Sequence, residues 1–466
     1  MSNSIGFAVR GTLVHCPSLG VVQVLRDHLL VVDDRGIISH LSPATEPDAI
    51  EYIKQNRSVR TLSPGSFLVP TFCDLHLHAP QFMYHGTGLD LPVMQWLDKY
   101  AYKAEEALDA QPDLARTVYT RLAQRLIEVG TGAVLLFGTI NSESNLILAD
   151  AMQRSGVRAF VGKLSMDISS RETYRESSAK ASLENARDFI QSCRNLVANL
   201  QPHQRLVEPV VTPRFVPTCS DELLQGLGKL CEELGVRAQS HLAEAYDEVK
   251  WVKDERRMDD IEVFEKHGLL RESTVQAHCT FLDSPSFSLL AERKTAVAHC
   301  PLSNAYFSEK PFPLREALDI GVMVGLGSDI AGGYSIDIMN SMRQAVAVSR
   351  IRQGTHFMEG VSGDATNNAA ANSLAITWKE SLYLATRGGA ISLGLKDLGE
   401  FKVGAPLDAQ EIAVYDVEAS AGIGTLDFFD DQPLSDGITL DMIEKWWCMG
   451  DIRNRVGMWV QGKQLI

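Results

Sequence analysis

The chain has 466 residues, 45% of them hydrophobic and 22% charged, with 44 lysines and arginines against 59 aspartates and glutamates, a net charge of −15. That length houses one large α/β barrel with additions or two to three smaller domains, and the composition is that of a globular protein with a buried core. So acidic a chain repels a nucleic-acid backbone or an anionic membrane, which leaves a small neutral or cationic ligand as the better-matched partner.

Eight cysteines without a CxxC pair give neither a disulfide framework nor a cysteine-rich zinc site, so reduced, cytosolic thiols are expected. The N-terminal stretch MSNSIGFAVRGTLVHC lacks a basic region followed by a long apolar one, and no apolar run approaches 18 residues. Neither a signal peptide nor a transmembrane helix is therefore expected.

In chain order, GTLVHC, VVQVL and HLLVVDDRGIISHL predict strands joined by turns within the first 65 residues, DDRG being a hairpin connection, and no helix is predicted there. From residue 67 onward, short β-branched runs alternate with amphipathic segments. Strands are predicted at 67–78, 132–138, 157–165, 205–215, 236–242, 274–279, 295–300 and 322–329. Helices fall between them, such as PDLARTVYTRLAQRLIEVG and SDELLQGLGKLCEELG, the second opening on a Ser/Asp cap and closing on glycine. Eight β-α repeats over this length predict an α/β fold, a (β/α)8 TIM barrel over 67–394. No GxGxxG or GxxxxGK[ST] loop supports the alternative of an open doubly wound sheet. The stretch 361–376, polar and rich in small residues, reads as a surface insertion. Strands at EIAVYDV and RVGMWVQGKQLI lie within 395–466, and with 1–66 they predict a small β-sandwich domain built from both ends of the chain.

Residues i and i+2 of a strand share a face, so His76 and His78 in FCDLHLH project together into the barrel. Alone, His-x-His is weak evidence of a metal site. His241 ends the fifth predicted strand, His278 the sixth and Asp329 the eighth, all at the C-terminal mouth where barrels build active sites. Imidazoles and a carboxylate converging there suit Zn2+ or Fe2+, with a position left open for water. His299, at the end of the seventh strand, is read as structural, because a fifth protein ligand would close that position. Glu244 follows His241 by three residues; it either complements a helix dipole or, beside an activated water, carries protons to substrate. Arg214 and Phe215 in TPRF offer a fork of donors and a stacking face for a planar heterocycle, and Gln81 offers donor and acceptor atoms to its edge.

HLHAPQF, LDLPVMQWLDKYAYKAE, TPRF, HLAE, AHC, HCPLSN, GSDIAGG, LGEFKVGAPLDA and VQGKQL resemble, in the same order and over nearly the whole chain, the motifs of the amidohydrolase superfamily of metal-dependent hydrolases. The Trp-containing stretch and TPRF are most similar to its guanine-deaminating members. One departure is Thr71, where that pattern carries glycine after the proline. The resemblance implies the barrel with its β domain, one zinc ion per chain, hydrolysis of guanine to xanthine and ammonia, and a cytoplasmic homodimer. It implies His76, His78, His241 and Asp329 as metal ligands, with His278 hydrogen-bonded to the reactive water. Glu244 and Asp329 are implied as proton carriers that touch the substrate, and Gln81, Arg214 and Phe215 as the residues that hold the base. The absence of lysine at the end of the fourth strand argues against a carbamate bridging two metals. Aminohydrolases acting on cytosine, adenosine or triazine-type rings, or a non-catalytic scaffold that keeps the barrel, are the alternatives.

Overall fold

In a computed structural model, residues 5–56, 58–358, 373–430 and 432–466 are described. Residues 361–372 of the expected surface insertion lie outside them.

Eight parallel strands, Phe72–His78, Thr131–Phe137, Arg158–Ser165, Val207–Pro213, Arg237–Leu242, Thr274–His278, Ala296–His299 and Val324–Leu326, follow one another through a single sheet in chain order. The seam between first and last is drawn shut by backbone hydrogen bonds, Asp329 N–H to the His76 carbonyl at 2.8 Å and His78 N–H to the Ile330 carbonyl at 3.0 Å. Site residues thus close the barrel. Every residue of the first two strands is buried; the second, TGAVLLF, reads as a continuous apolar run, whereas the first, FCDLHLH, alternates apolar residues with the buried polar Asp74, His76 and His78.

Two strand predictions change. The run 67–78 is two strands in different sheets, Ser66–Pro70 and Phe72–His78. Pro70 has no N–H to carry a ladder onward, and Thr71 turns its own N–H to the Asp408 carbonyl at 3.2 Å. The eighth strand is only Val324–Leu326, because the Asp74 carboxylate takes the Ser328 N–H at 3.0 Å and pulls the chain out of the ladder.

The strands Ile5–Ser18, Val21–Asp33 and Ile38–Pro43 form an antiparallel meander. Its second turn is the expected DDRG connection, with Gly36 at φ +80° donating its N–H to the Asp33 carbonyl. Ser66–Pro70, Ala409–Ala413, Arg455–Val460 and Lys463–Gln464 extend the same hydrogen-bonded sheet. The two ends of the chain therefore meet in one continuous mixed sheet rather than in two separately bonded layers of a sandwich. Contrary to the helix-free reading of the N-terminal part, Pro47–Gln55 is a helix. It is nine residues long and has no capping side chain; its stripe Ala49, Tyr52 and Ile53 keeps helical spacing and packs against Ala8, Leu29 and Val31, with only Ala49 fully buried. Helix Leu440–Met449, also unpredicted, is capped by Thr439 and buries Met442, Ile443, Trp446 and Trp447. The helix expected from SDELLQGLGKLCEELG is Asp221–Leu234: Ser220 Oγ accepts from Leu223 N–H at 3.2 Å, and Gly235 ends it at φ +58°. No helix among the described residues is long and apolar enough to cross a membrane.

Candidate active site

The first barrel strand presents Asp74, His76 and His78 on one face. Asp74 stabilises the whole corner: its Oδ1 accepts from His76 N–H at 3.2 Å and Ser328 N–H at 3.0 Å, and its Oδ2 from Ser328 Oγ at 2.5 Å. Burial pushes its carboxyl up to about 6, against those hydrogen bonds. This aspartate ties the His-x-His strand to the segment bearing Asp329. Sequence reading passed over it, although it stands two residues before His76 on the same face.

The nitrogens of His76, His78 and His241 lie within 4.8 Å of one another, and so do the donor atoms of His76, His278 and Asp329 and those of His241, Glu244 and His278. Asp329 Oδ1 is 3.1 Å from His76 Nε2 and 3.7 Å from His78 Nε2, and the Nε2 atoms of His78 and His241 are 3.0 Å apart. His241 is oriented from behind, its Nδ1–H donating to the Arg214 carbonyl at 2.6 Å, which leaves Nε2 as a lone pair facing the centre. Burial, then the neighbouring histidines, hold the His78 and His241 rings well below the ordinary histidine range and hence neutral, the form that ligates. Burial opposes ionisation of Asp329, but the surrounding His76, His278 and His78 more than offset it and keep the carboxyl well below its usual value. His278 Nε2 is buried without any hydrogen-bond partner, which is unusual for a polar atom in a protein interior, and His76 Nε2 faces only the Asp329 carboxylate. An unpaired nitrogen, neutral rings and an ionised carboxylate together make a donor set that fits a divalent ion.

Two of the ends are reached through backbone outside the usual regions. His278 sits at φ +68° and Asp329 at φ +49°, and each such non-glycine position costs on the order of 1–3 kcal/mol. Both residues stand in the converging donor group of the site.

One pocket is lined by His78, His241 and Asp329, by Glu244, and by Gln81, Arg214 and Phe215. Glu244 Oε1 is 3.7 Å from His278 Nε2. Its backbone is clamped on both sides, the N–H by Glu248 Oε2 at 2.8 Å and the carbonyl by Ser308 Oγ at 2.6 Å. Burial, and then the charge of Asp329, push its carboxyl up to about 8. Gln81 Oε1 accepts from Ala331 N–H at 3.0 Å, which leaves its amide N–H groups for a ligand. Phe215 is buried, its ring 6.3 Å from that of His241 and close to perpendicular.

Arg214 is not a free cation. It is held by a buried bidentate pair with Glu105, at 2.7 and 3.1 Å, and its guanidinium lies 5.0 Å from the Tyr102 ring centre. Burial works against its charge, and Glu105 raises the pKa above the ordinary arginine value. Glu105 was missed as a functional residue because its partner is 109 positions away, although it closes the stretch LDLPVMQWLDKYAYKAE. Asn304 was missed likewise: its Oδ1 lies 2.9 Å from His278 Nδ1. His299 packs its ring 5.0 Å from Phe312 and belongs to none of the converging donor groups among the described residues.

The sequence pattern of the amidohydrolase family matches residues 67–454. The chain belongs to this family. Amidohydrolases are metal-dependent, in keeping with the converging donors of His76, His78 and His241. This amidohydrolase is 34% identical to the guanine deaminase of Dictyostelium discoideum, over 100% of its own length and 99% of that protein. It is 35% identical to the human guanine deaminase, over 98% and 96% of the two chains. Among solved structures it is similar to the guanine deaminase of C. acetobutylicum with guanine bound in the active site, at a TM-score of 0.84 and 28% identity over 99% and 100% of the chains.

Proposed function

We infer that this amidohydrolase is a guanine deaminase, converting guanine and water to xanthine and ammonia. The observation that carries the reading is one pocket in which His78, His241 and Asp329 of the donor cluster, Glu244, and the trio Gln81, Arg214 and Phe215 face the same space. The full-length similarity to guanine deaminases, one of them with guanine in its active site, supports it.

His76, His78, His241 and Asp329 are assigned as the ligands of one zinc ion, with Fe2+ as the alternative that elemental analysis decides. When bound, such an ion acts as a Lewis acid that lowers the pKa of water from 15.7 to about 7. The chain's own groups do the rest. Asp329 accepts the proton that the water gives up as its oxygen attacks C2, while His278 aligns that water by hydrogen bonding. Glu244, kept protonated at neutral pH by its surroundings, passes a proton to N3. The proton taken from water is returned through Asp329 and Glu244 to the amine, the C2–N bond breaks and ammonia leaves, and the C2 hydroxyl gives its remaining proton to Glu244 as the carbonyl of xanthine forms. Phe215 stacks on the purine, Arg214 donates to acceptors such as O6 and N7, and the free amide N–H of Gln81 donates to another acceptor on its edge.

The test is purified protein given guanine with and without chelator, following xanthine and ammonia. Chelator-sensitive turnover is expected. Deamination of a cytosine, adenosine or triazine ring in its place, or no metal on elemental analysis, overturns the reading. A homodimer in the cytoplasm is the proposed state, checked by sedimentation and by fractionation.

A further inference from the structure

His278 is fully buried, and its ring turns Nε2 toward the two carboxylates of the site, 3.7 Å from Glu244 Oε1 and 3.8 Å from Asp329 Oδ2, with no hydrogen bond to either. The direction of any hydrogen bond that Nε2 makes with a water there depends on which ring nitrogen carries the proton, and that is decided on the far side of the ring. Nδ1 lies 2.9 Å from Asn304 Oδ1. An amide oxygen can only accept, so the neutral ring must be protonated at Nδ1 and must present a lone pair at Nε2.

Asn304 is well placed to impose this. It follows the seventh barrel strand, directly after the turn Pro301–Ser303 and at the start of the helical turn Asn304–Ser308, with its N–H held by the Cys300 carbonyl at 2.9 Å. Its side chain is 2% exposed, so neither partner can turn away to solvent. Asn304 Nδ2 is buried without a partner, which leaves the bond to His278 as the one hydrogen bond of this side chain among the described residues.

We propose that Asn304 is a positioning residue that fixes the tautomer of His278, so that Nε2 accepts a hydrogen from the attacking water and leaves the oxygen lone pair directed at the substrate. With the opposite tautomer, Nε2–H would donate to that oxygen and occupy the electrons that must form the new C–O bond. The catalytic part of this inference rests on the guanine deaminase reading, whereas the tautomer itself does not.

Two measurements separate them. In protein labelled with 15N-histidine, the wild-type resonances of His278, assigned by comparison with His278→Gln, are expected to show a pyrrole-like Nδ1 and a pyridine-like Nε2, both in the metal-free and in the zinc-loaded protein. A pyrrole-like Nε2 overturns the proposal whatever the enzyme's substrate. In Asn304→Leu, close in volume but lacking the acceptor, kcat for guanine should fall by about 10- to 100-fold, the range for losing a residue that orients an active-site imidazole. KM should stay within about twofold and zinc should remain at one per chain, while Asn304→Asp, which keeps an acceptor oxygen, recovers most of the loss. A fall in zinc content and KM together with kcat, or equal losses in the Leu and Asp variants, assigns Asn304 a purely structural role and overturns the proposal. If no variant or wild-type protein acts on guanine, the substrate reading fails while the NMR result still decides the tautomer.

Discussion

Replacing Glu105 by glutamine removes one charge from a pair in which both side chains are buried, at 2% exposure or less, and which makes two hydrogen bonds of 2.7 and 3.1 Å. Arg214 cannot lose its proton, so the variant must bury a guanidinium without a counter-charge. Breaking such a pair from one side costs roughly 3–5 kcal/mol. At about 2.1 cal/mol/K of unfolding entropy per residue, a chain of this size has an entropy of about 1 kcal/mol/K, so the thermal midpoint should drop by about 3–5 °C. The released fork no longer points its remaining donors at one place, and loss of one charged hydrogen bond to the base, about 1.5–3 kcal/mol, raises KM for guanine roughly 10- to 100-fold. Calorimetry and steady-state kinetics measure the two effects. The double variant Glu105→Leu with Arg214→Met should regain most of the thermal midpoint, since an apolar pair replaces a buried ionic one, but not the affinity. A Glu105→Gln protein with midpoint and KM unchanged would show that the pair neither supports the fold nor orients Arg214, and the reasoning would be refuted.

Glu244→Gln should retain the metal and lose turnover by at least two orders of magnitude, as expected for a proton carrier; comparable activity removes Glu244 from the proton path. Stripping the metal should abolish turnover and lower the thermal midpoint, because ligand binding to the native state alone is lost, and adding zinc back should restore both. His299→Ala should keep its full metal content by elemental analysis, since His299 lies outside the converging donors. Asp260 offers a pH test: it is buried, and burial pushes its pKa from 3.8 up to about 7. The unfolded chain therefore releases this proton first as pH rises, so its contribution to stability is present below about pH 4 and is lost as pH climbs through about 7. Asp260→Asn, which cannot ionise, should raise the thermal midpoint at pH 8 and leave it near wild type at pH 4; a gain of the same size at both pH values contradicts this.

The chain's local patterns carried the barrel. Buried strands such as TGAVLLF read as uninterrupted apolar runs, and helix ends such as Ser220 and Gly235 announce themselves through capping chemistry that acts within a few residues. The same locality explains the misses. Pro47–Gln55 is only nine residues long and its N-cap residue, Glu46, makes no side-chain cap hydrogen bond, so the capping signal that marks Asp221–Leu234 is missing there. The break at Pro70–Thr71 depends on Asp408, more than 330 residues onward, and the early end of the eighth strand depends on Asp74. The candidate site divides along the same line. His76 and His78 share a face by the two-residue period of a strand, and His241, His278 and Asp329 stand out as donors of the right chemistry at strand ends.

By itself, then, the sequence determined which elements form and which residue types stand at the barrel mouth, because strand period, capping and residue chemistry are local properties. Only the tertiary structure decided how those residues are held: Glu105 on Arg214, Asp74 on the His76 and Ser328 backbone, the Arg214 carbonyl on His241, and Asn304 on His278. Each of these contacts joins positions brought together by barrel closure and loop packing, and a hydrogen bond of about 3 Å between side chains far apart in the chain leaves no trace in the periodicity of either segment.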